Sequence, residues 1–169
     1  MDISKYTKAA RQLLPLRYCG AVIVAAGSAS RMGGIDKVMA ELDGEPMIVR
    51  TVRTFQNCDV IKEIVIVTRP DLIVPIMDLC HGFDKVKLVV AGGASRQESV
   101  ELGLNALSKK VRLAAIQDGA RPLITWQVID RAVRAANSYG AAAPAIPVKD
   151  TIKTVEGGLV VNTPDRSKL

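Results

Sequence analysis

Aromatic side chains are scarce in this sequence: two Phe, one Trp and three Tyr make up 4% of its 169 residues. The core must therefore be aliphatic, which is typical of buried parallel strands packed under Ala-rich helices. Nucleic-acid binding is disfavoured, because few rings are available to stack on bases and the net charge of +6 comes from scattered Lys and Arg. A mild basic surplus equally suits a small polyanionic ligand.

Cysteine is also rare. Cys19, Cys58 and Cys80 are odd in number and widely spaced, without a CxxC pair, which argues against a disulfide framework or a zinc site and favours reduced thiols. No apolar run approaches the length of a membrane span, and the N-terminus has no continuous apolar stretch of the secretory kind. We therefore expect a cytoplasmic protein that binds neither membrane nor nucleic acid.

Short apolar runs alternate with segments of helical period, within a length that fits one domain. The runs are Ala21–Ala25, Glu63–Thr68, Lys87–Val90, Leu113–Gln117 and Ala141–Ile146; the helical segments are Pro46–Gln56, Leu72–Phe83, Arg96–Leu107 and Thr125–Ser138. Buried strands that alternate with helices of this length indicate a parallel sheet covered on both faces. The predicted fold is α/β: a Rossmann-like three-layer sandwich with a mostly parallel sheet.

Two shorter regions flank this domain, which we place at residues 19–149. Residues 1–18 form an extension in which Ile3, Tyr6, Ala10 and Leu13 recur at helical spacing, so we expect a helix there. Residues 150–169 begin with alternating polar and apolar residues around Gly157-Gly158, which predicts a β-hairpin arm. Because a two-stranded ribbon is marginal alone, the arm either packs on its own domain or reaches a partner subunit; we expect a homodimer through residues 150–162.

The segment after the first predicted strand is rich in small residues and carries two cations, Arg31 and Lys37. In an open parallel sheet, ligands bind beyond the carboxyl ends of the strands, and small residues let backbone N–H groups approach phosphate oxygens. Neither GxGxxG nor GxxxxGK[ST] occurs, so this is neither a dinucleotide fingerprint nor a P-loop. The alternative is a glycine-rich turn with two solvated cations, but the order of strand, small residues, Gly, Arg and Lys favours phosphate binding.

Five motifs occur along the chain in order. They are residues 25–37, with AAG, SRMG and DK; residues 92–99, with GGASR and ES; residues 118–122 (DGARP); residues 147–151 (PVKDT); and residues 165–166 (DR). The first resembles the signature loop of the nucleotidyltransferase superfamily. Together, in this register, they resemble the 2-C-methyl-D-erythritol 4-phosphate cytidylyltransferase family.

The resemblance implies transfer of CMP from CTP to the phosphate of methylerythritol phosphate, with release of pyrophosphate and with Mg²⁺ as cofactor. The acceptor is already an anion, so no general base is needed, which agrees with a chain whose single histidine is His81. The residues it implies are Arg31 and Lys37 for catalysis; Ala25, Ala26, Gly27, Gly93, Ala94, Ser99 and Asp118 for the nucleotide; Asp118 also for the metal; and Arg121, Thr151 and Arg166 for the acceptor.

Simpler roles stay open for several of these residues. Asp118 could cap a turn, Ser99 could satisfy its own helix backbone, and Arg166 could be a solvated charge near the last residue. Thr151 and Arg166 match residues that, in the family, come from the arm of the neighbouring subunit.

The chain also departs from the family pattern. Asp36-Lys37-Val38 stands where the family usually has Pro-Lys-Gln. The Asp36-Lys37 pair of this chain is similar to the corresponding segment of the molybdenum-cofactor guanylyltransferases. A ribitol 5-phosphate cytidylyltransferase and a non-catalytic nucleotide-binding module are the rival interpretations. Because the family continues beyond the Asp-Arg motif, we expect this chain to leave one side of its sheet uncovered and its site incomplete.

Overall fold

The computed structural model of the chain describes residues 14–27 and 36–169. Within these ranges the strands are β1 Cys19–Ala25, β2 Glu41–Leu42, β3 Glu45–Pro46, β4 Ile61–Thr68, β5 Val86–Ala91, β6 Leu113–Asp118, β7 Thr154–Glu156 and β8 Leu159–Asn162. The α-helices are α1 Met47–Gln56, α2 Ile73–Leu79, α3 Arg96–Ala106 and α4 Trp126–Tyr139. The predicted helix near the N-terminus lies outside the described residues.

The described part of the chain contains a parallel sheet with the strand order β5-β4-β1-β6. Its two central strands, β1 and β4, are almost entirely buried, whereas β5 and β6 at the edges are partly exposed. Continuous apolar runs form the central strands because both of their faces are covered, as expected for parallel strands between layers of helices.

Alternate residues of the sheet face opposite layers. Ala21 and Ile23 of β1 belong to a cluster with Ile48 of α1 and Ile129 of α4, whereas Val22 lies in a second cluster that packs against the end of α3. This period of two places helices on both faces. The prediction of a three-layer α/β sandwich is confirmed.

One predicted strand is wrong. Residues 141–146 are exposed and do not pair with a neighbouring strand. A cavity of about 260 Å³ that is lined by β6, α4 and Ala142, Ala143 and Pro144 lies between this segment and the sheet. A strand exists only when its N–H and C=O groups pair with a neighbour, so an apolar run alone does not produce one, and Pro144 in addition has no N–H to donate.

The predicted hairpin arm is present, although its first strand is shorter than expected. β7 and β8 pair antiparallel, and Gly157 and Gly158 connect them at φ +55° and +83°, a left-handed turn that glycine adopts without a steric penalty. Every residue of both strands is exposed. A second small hairpin, β2 with β3, was not predicted.

No helix in the described ranges is long and apolar enough to cross a membrane.

Candidate functional site at the carboxyl edge of the sheet

The predicted ligand-binding residues that follow β1, β5 and β6 meet at one edge of the sheet, where those parallel strands end. Hydrogen bonds join the loops there: the Gly92 N–H donates to the Thr68 carbonyl oxygen at 2.7 Å, and the Gly119 N–H donates to the Val24 carbonyl oxygen at 2.7 Å. The Thr68 hydroxyl donates to the Ala25 carbonyl oxygen at 3.4 Å. This is the edge at which open parallel sheets bind ligands.

The loop between β5 and α3 is closely packed against the end of β1. A Cβ atom on Gly92 would lie 2.4 Å from the Cβ of Ala26 and 2.8 Å from the Ser99 hydroxyl oxygen. Ala25 is buried, Ala26 is half-buried and Gly27 is exposed. The small residues at 25–27 and 92–93 thus allow two backbone loops to approach each other, which is how a site for a phosphate or a flat base can be formed from main-chain groups.

Polar side chains order the start of α3. The Ser95 hydroxyl accepts the Glu98 N–H at 3.0 Å as the helix cap, and a carboxylate oxygen of Glu98 accepts the Ala94 N–H at 2.8 Å. The Ser99 hydroxyl, which is buried, accepts the Gly93 N–H at 3.1 Å and donates to the Ser95 carbonyl oxygen at 2.9 Å. The Ser99 hydroxyl therefore satisfies backbone groups at the start of its own helix, which is the simpler role named above. A base-reading role for Gly93, Ala94 and Ser99 stays a prediction.

Asp118 ends β6 between two arginines. One carboxylate oxygen is 2.8 Å from a terminal nitrogen of Arg96, and the other is 2.9 Å from Nε of Arg121. The side chains of Arg96 and Arg121 are 63% and 75% exposed, so both guanidinium groups are oriented by Asp118 yet open to solvent. Arg96 is the arginine of the GGASR motif, but the sequence analysis gave it no role. Its position at the start of a helix that follows the end of a strand was the signal that could have identified it.

Asp118 is the one carboxylate predicted to bind a metal ion. No group of three or more His, Cys, Asp or Glu that could hold a metal ion occurs in residues 14–27 and 36–169. A single carboxylate suffices only for Mg²⁺ that takes its remaining ligands from phosphate oxygens and water. Oδ1 of Asp118 accepts two N–H groups of Arg96, whereas Oδ2 contacts only Nε of Arg121 and keeps a lone pair, so Asp118 fits a shared Mg²⁺·triphosphate and not a site made by protein ligands alone.

Lys37 lies on a short turn between residues 36 and 40. The Ala40 N–H donates to the Asp36 carbonyl oxygen at 2.8 Å, and a carboxylate oxygen of Asp36 accepts the Val38 N–H at 3.1 Å. Val38 is 7% exposed and packs into the main core, whereas Lys37 is exposed. The turn therefore presents Lys37 outward from an anchored base. Arg31, its predicted catalytic partner, lies outside the described residues.

Arg69, which follows β4, is a site residue that the sequence analysis missed. Its guanidinium contacts the carboxylates of Asp36 at 2.7 Å and Asp71 at 3.0 Å. The hydrogen bonds to Asp71, and then the close carboxylate of Asp36, raise the pKa of Arg69, and the Arg69 guanidinium lowers the pKa of Asp71. No sequence motif marks Arg69, because its partner Asp36 comes from another strand's loop.

The two predicted acceptor-binding residues beyond position 149 lie on the arm segment. Thr151 and Arg166 are both exposed, and Arg166 donates to the Lys149 carbonyl oxygen at 3.1 Å. Within the described ranges, neither residue makes a hydrogen bond or ion pair to Lys37, Asp118 or Arg121 in the same chain. Their proposed contact with a ligand therefore stays a prediction.

Comparison with known proteins shows what this arrangement is similar to. Residues 19–169 match the family described as IspD, 2-C-methyl-D-erythritol 4-phosphate cytidylyltransferase. The proteins of that name from Symbiobacterium thermophilum and from Caldanaerobacter subterraneus subsp. tengcongensis are 45% identical over 150 residues and 39% identical over 158 residues; the alignments cover 88% of this chain in both cases and 63% and 68% of the relatives.

A solved structure gives the same result. The crystal structure of 4-diphosphocytidyl-2C-methyl-D-erythritol synthase from Anaerococcus prevotii matches with a TM-score of 0.79 at 30% identity, over 89% of this chain and 65% of that protein. The chain thus spans about two thirds of the length of the relatives it matches.

Proposed function

Because this chain belongs to the 2-C-methyl-D-erythritol 4-phosphate cytidylyltransferase family, we propose that it carries the nucleotide-binding part of an enzyme that transfers CMP from CTP to 2-C-methyl-D-erythritol 4-phosphate. The observation that supports this most is the convergence of backbone loops, the Arg96–Asp118–Arg121 cluster and the Lys37 turn on the carboxyl side of one parallel sheet. Such an edge combines bare backbone with fixed positive charge, which a triphosphate requires.

The proposed reaction is a displacement at phosphorus. A phosphate oxygen of the acceptor attacks the α-phosphorus of CTP, a new P–O bond forms, and the bond between the α-phosphorus and the bridging oxygen breaks to release pyrophosphate. No proton has to be removed from the nucleophile. The contribution of the protein is alignment and stabilisation of the charge on the phosphoryl oxygens, which we assign to Lys37 together with Arg31.

Acceptor binding is proposed for Arg121, whose planar guanidinium can form two hydrogen bonds to a phosphate monoester. Arg121 is already oriented by Asp118. Mg²⁺, where bound, would be held by Asp118 with the phosphates and would neutralise part of the triphosphate charge.

Pyrophosphate release from CTP tests the proposed function. We expect release with methylerythritol phosphate and little with ribitol 5-phosphate, and a loss of roughly 10²- to 10³-fold in turnover for Lys37→Ala or Arg31→Ala, as is typical for removal of a transition-state donor. Lys109→Ala is the control, since Lys109 is exposed and lies at the opposite end of the sheet, before β6. Binding of CTP by the chain, together with no pyrophosphate release from any polyol phosphate by a version extended to the length of its relatives, would instead support a non-catalytic module.

We also propose that the arm, residues 150–162, joins two subunits. Val155, Leu159, Val160 and Val161 are 52–74% exposed, and an isolated two-stranded ribbon with so much exposed apolar surface is marginal in water. Analytical ultracentrifugation should give a dimer that Val160→Asp weakens. A wild-type chain that stays monomeric at high concentration would contradict this arm exchange.

A cytoplasmic location is part of the same proposal. Cys19, Cys58 and Cys80 are free and buried, which suits a reducing compartment. Detection of the protein in a cytosolic fraction with three reduced thiols is the expected result.

A further inference from the structure

Arg69 connects the two sides of the segment that precedes Lys37. One terminal nitrogen of its guanidinium lies 3.5 Å from the carbonyl oxygen of Gly27, which follows β1. The other terminal nitrogen lies 2.7 Å from a carboxylate oxygen of Asp36. Gly27 and Asp36 are the described residues on either side of residues 28–35, so a single side chain contacts the end of β1 and the start of the Lys37 turn.

The guanidinium is held in this orientation by Asp71, two residues further along the same turn after β4. Nε and a terminal nitrogen of Arg69 donate to the two carboxylate oxygens of Asp71 at 3.2 and 3.0 Å. A fork held at two points has lost most of its rotational freedom before it meets a third partner. The contact is also sheltered, because the side chains of Arg69 and Asp36 are only 27% and 21% exposed, and a sheltered pair is screened less by salt than one in open solvent.

Asp36 transmits this contact to Lys37. Its second carboxylate oxygen accepts the Val38 N–H at 3.1 Å, and its carbonyl oxygen accepts the Ala40 N–H at 2.8 Å. The far end of the turn is fixed by two backbone bonds to the start of α1, from Met47 to Ala40 and from Ile48 to Val38. Among the described residues, Arg69 is therefore the side chain that holds the near end of a turn whose far end is already anchored.

We propose that Arg69 is a positioning residue for Lys37, and that it acts through Asp36 to hold the Lys37 ammonium at the sheet edge where the triphosphate binds. The proposal rests on the proposed function, since it assigns Arg69 a part in the same site. Arg69 itself is directed at two carboxylates and a carbonyl oxygen, so its effect on the nucleotide is indirect.

A double-mutant cycle between Arg69 and Lys37 tests this. The Kd of Mg·CTP, measured by calorimetry, and pyrophosphate release are compared for the wild-type chain, Arg69→Ala, Lys37→Ala and the double variant. We expect Arg69→Ala to weaken CTP binding or turnover by about ten- to hundredfold, which is the effect of misplacing a catalytic group by about 1 Å. If Arg69 acts through Lys37, the double variant is no worse than Lys37→Ala alone.

Three controls separate this role from a general effect on folding. Arg134→Ala breaks an ion pair of similar length, 2.8 Å to Asp130 on α4, and should leave Kd and turnover unchanged. Asp36→Asn keeps the acceptor for the Val38 N–H but removes the charge, so it should reproduce the Arg69→Ala loss. The urea midpoint of Arg69→Ala should shift no more than that of Arg134→Ala.

The outcomes distinguish the two proposals. Additive losses for Arg69→Ala and Lys37→Ala, or a wild-type Kd and turnover for Arg69→Ala beside an impaired Lys37→Ala, overturn the positioning role and leave the proposed function intact. A wild-type chain that neither binds Mg·CTP nor releases pyrophosphate overturns the proposed function and the positioning role with it.

Discussion

Replacing Gly92 by Ala should disturb the site through one added methyl group. The new Cβ would lie 2.4 Å from the Ala26 Cβ and 2.8 Å from the Ser99 hydroxyl oxygen, whereas ordinary contacts begin near 3.4 Å. The two loops would therefore have to separate by about 1 Å. Overpacking of this kind typically costs ~1–3 kcal/mol, and a displacement of about 1 Å near reacting groups can lower turnover ~100-fold.

Gly82→Ala provides the matched control, because Gly82 is exposed and a Cβ there would have nothing within 4 Å. Urea unfolding should show a free energy of unfolding that is lower by ~1–3 kcal/mol for Gly92→Ala and unchanged or slightly higher for Gly82→Ala. Calorimetry with Mg·CTP should show weaker binding for Gly92→Ala alone. If Gly92→Ala had wild-type stability and wild-type CTP affinity, the close approach of the 25–27 and 92–93 loops would not be what shapes the site.

Three other perturbations test separate parts of the molecule. Asp118→Asn should change the free energy of unfolding by less than ~1 kcal/mol, because its arginine partners are mostly exposed, yet lower pyrophosphate release by at least about tenfold, because Arg96 and Arg121 lose their fixed orientation. Ser108→Ala should cost ~1–3 kcal/mol in urea unfolding, because Glu63 is 5% exposed and accepts the Ser108 hydroxyl at 2.6 Å. Burial raises the pKa of Cys80 from 9.0 to about 11, so the thiol should resist a disulfide reagent at pH 8. Since the unfolded Cys80 thiol ionises first, Cys80 should lower stability as pH rises from 9 towards 11, by at most ~1.4 kcal/mol per pH unit for this one group; the fall should be less steep in Cys80→Ala, where the raised pKa values of Cys19 and Cys58 still contribute.

The central strands could be predicted from the sequence because their environment leaves a local signal. Strand β1 and residues 64–67 of β4 are covered on both faces and carry no charged side chain, so the apolar run itself is the evidence. The hairpin was predictable for a comparable reason, since Gly157 and Gly158 occupy positions with positive φ. The run at residues 141–146 is also apolar but has no partner strand in the described ranges, and an apolar run does not report whether a partner exists.

The missed parts of the site depend on contacts between distant segments. The motifs gave Asp118 and Arg121, but not the ion pair between Asp118 and Arg96 from the preceding helix. Arg69 was missed altogether, because an arginine after a strand is ordinary until the fold places it 2.7 Å from Asp36. Loops that bind a ligand through their backbone can be recognised in the sequence by their glycines, whereas residues that orient other residues have no such sequence pattern.

The arginines of this edge share one electrostatic arrangement. Arg96 and Arg121 are held by Asp118, and Arg69 is held by Asp36 and Asp71, so these guanidinium groups are ordered before any ligand binds. Ordering a long side chain costs about 1.5–2 kcal/mol in rotamer entropy. When an aspartate has already ordered the arginine, the free energy of ligand binding no longer includes this cost. The same aspartates repel a triphosphate, so CTP binding should be favourable only where its phosphates engage the exposed face of Arg96 or bring Mg²⁺ to Asp118. CTP affinity should therefore fall with added salt and depend on Mg²⁺, whereas affinity for cytidine, which lacks phosphates, should depend on neither.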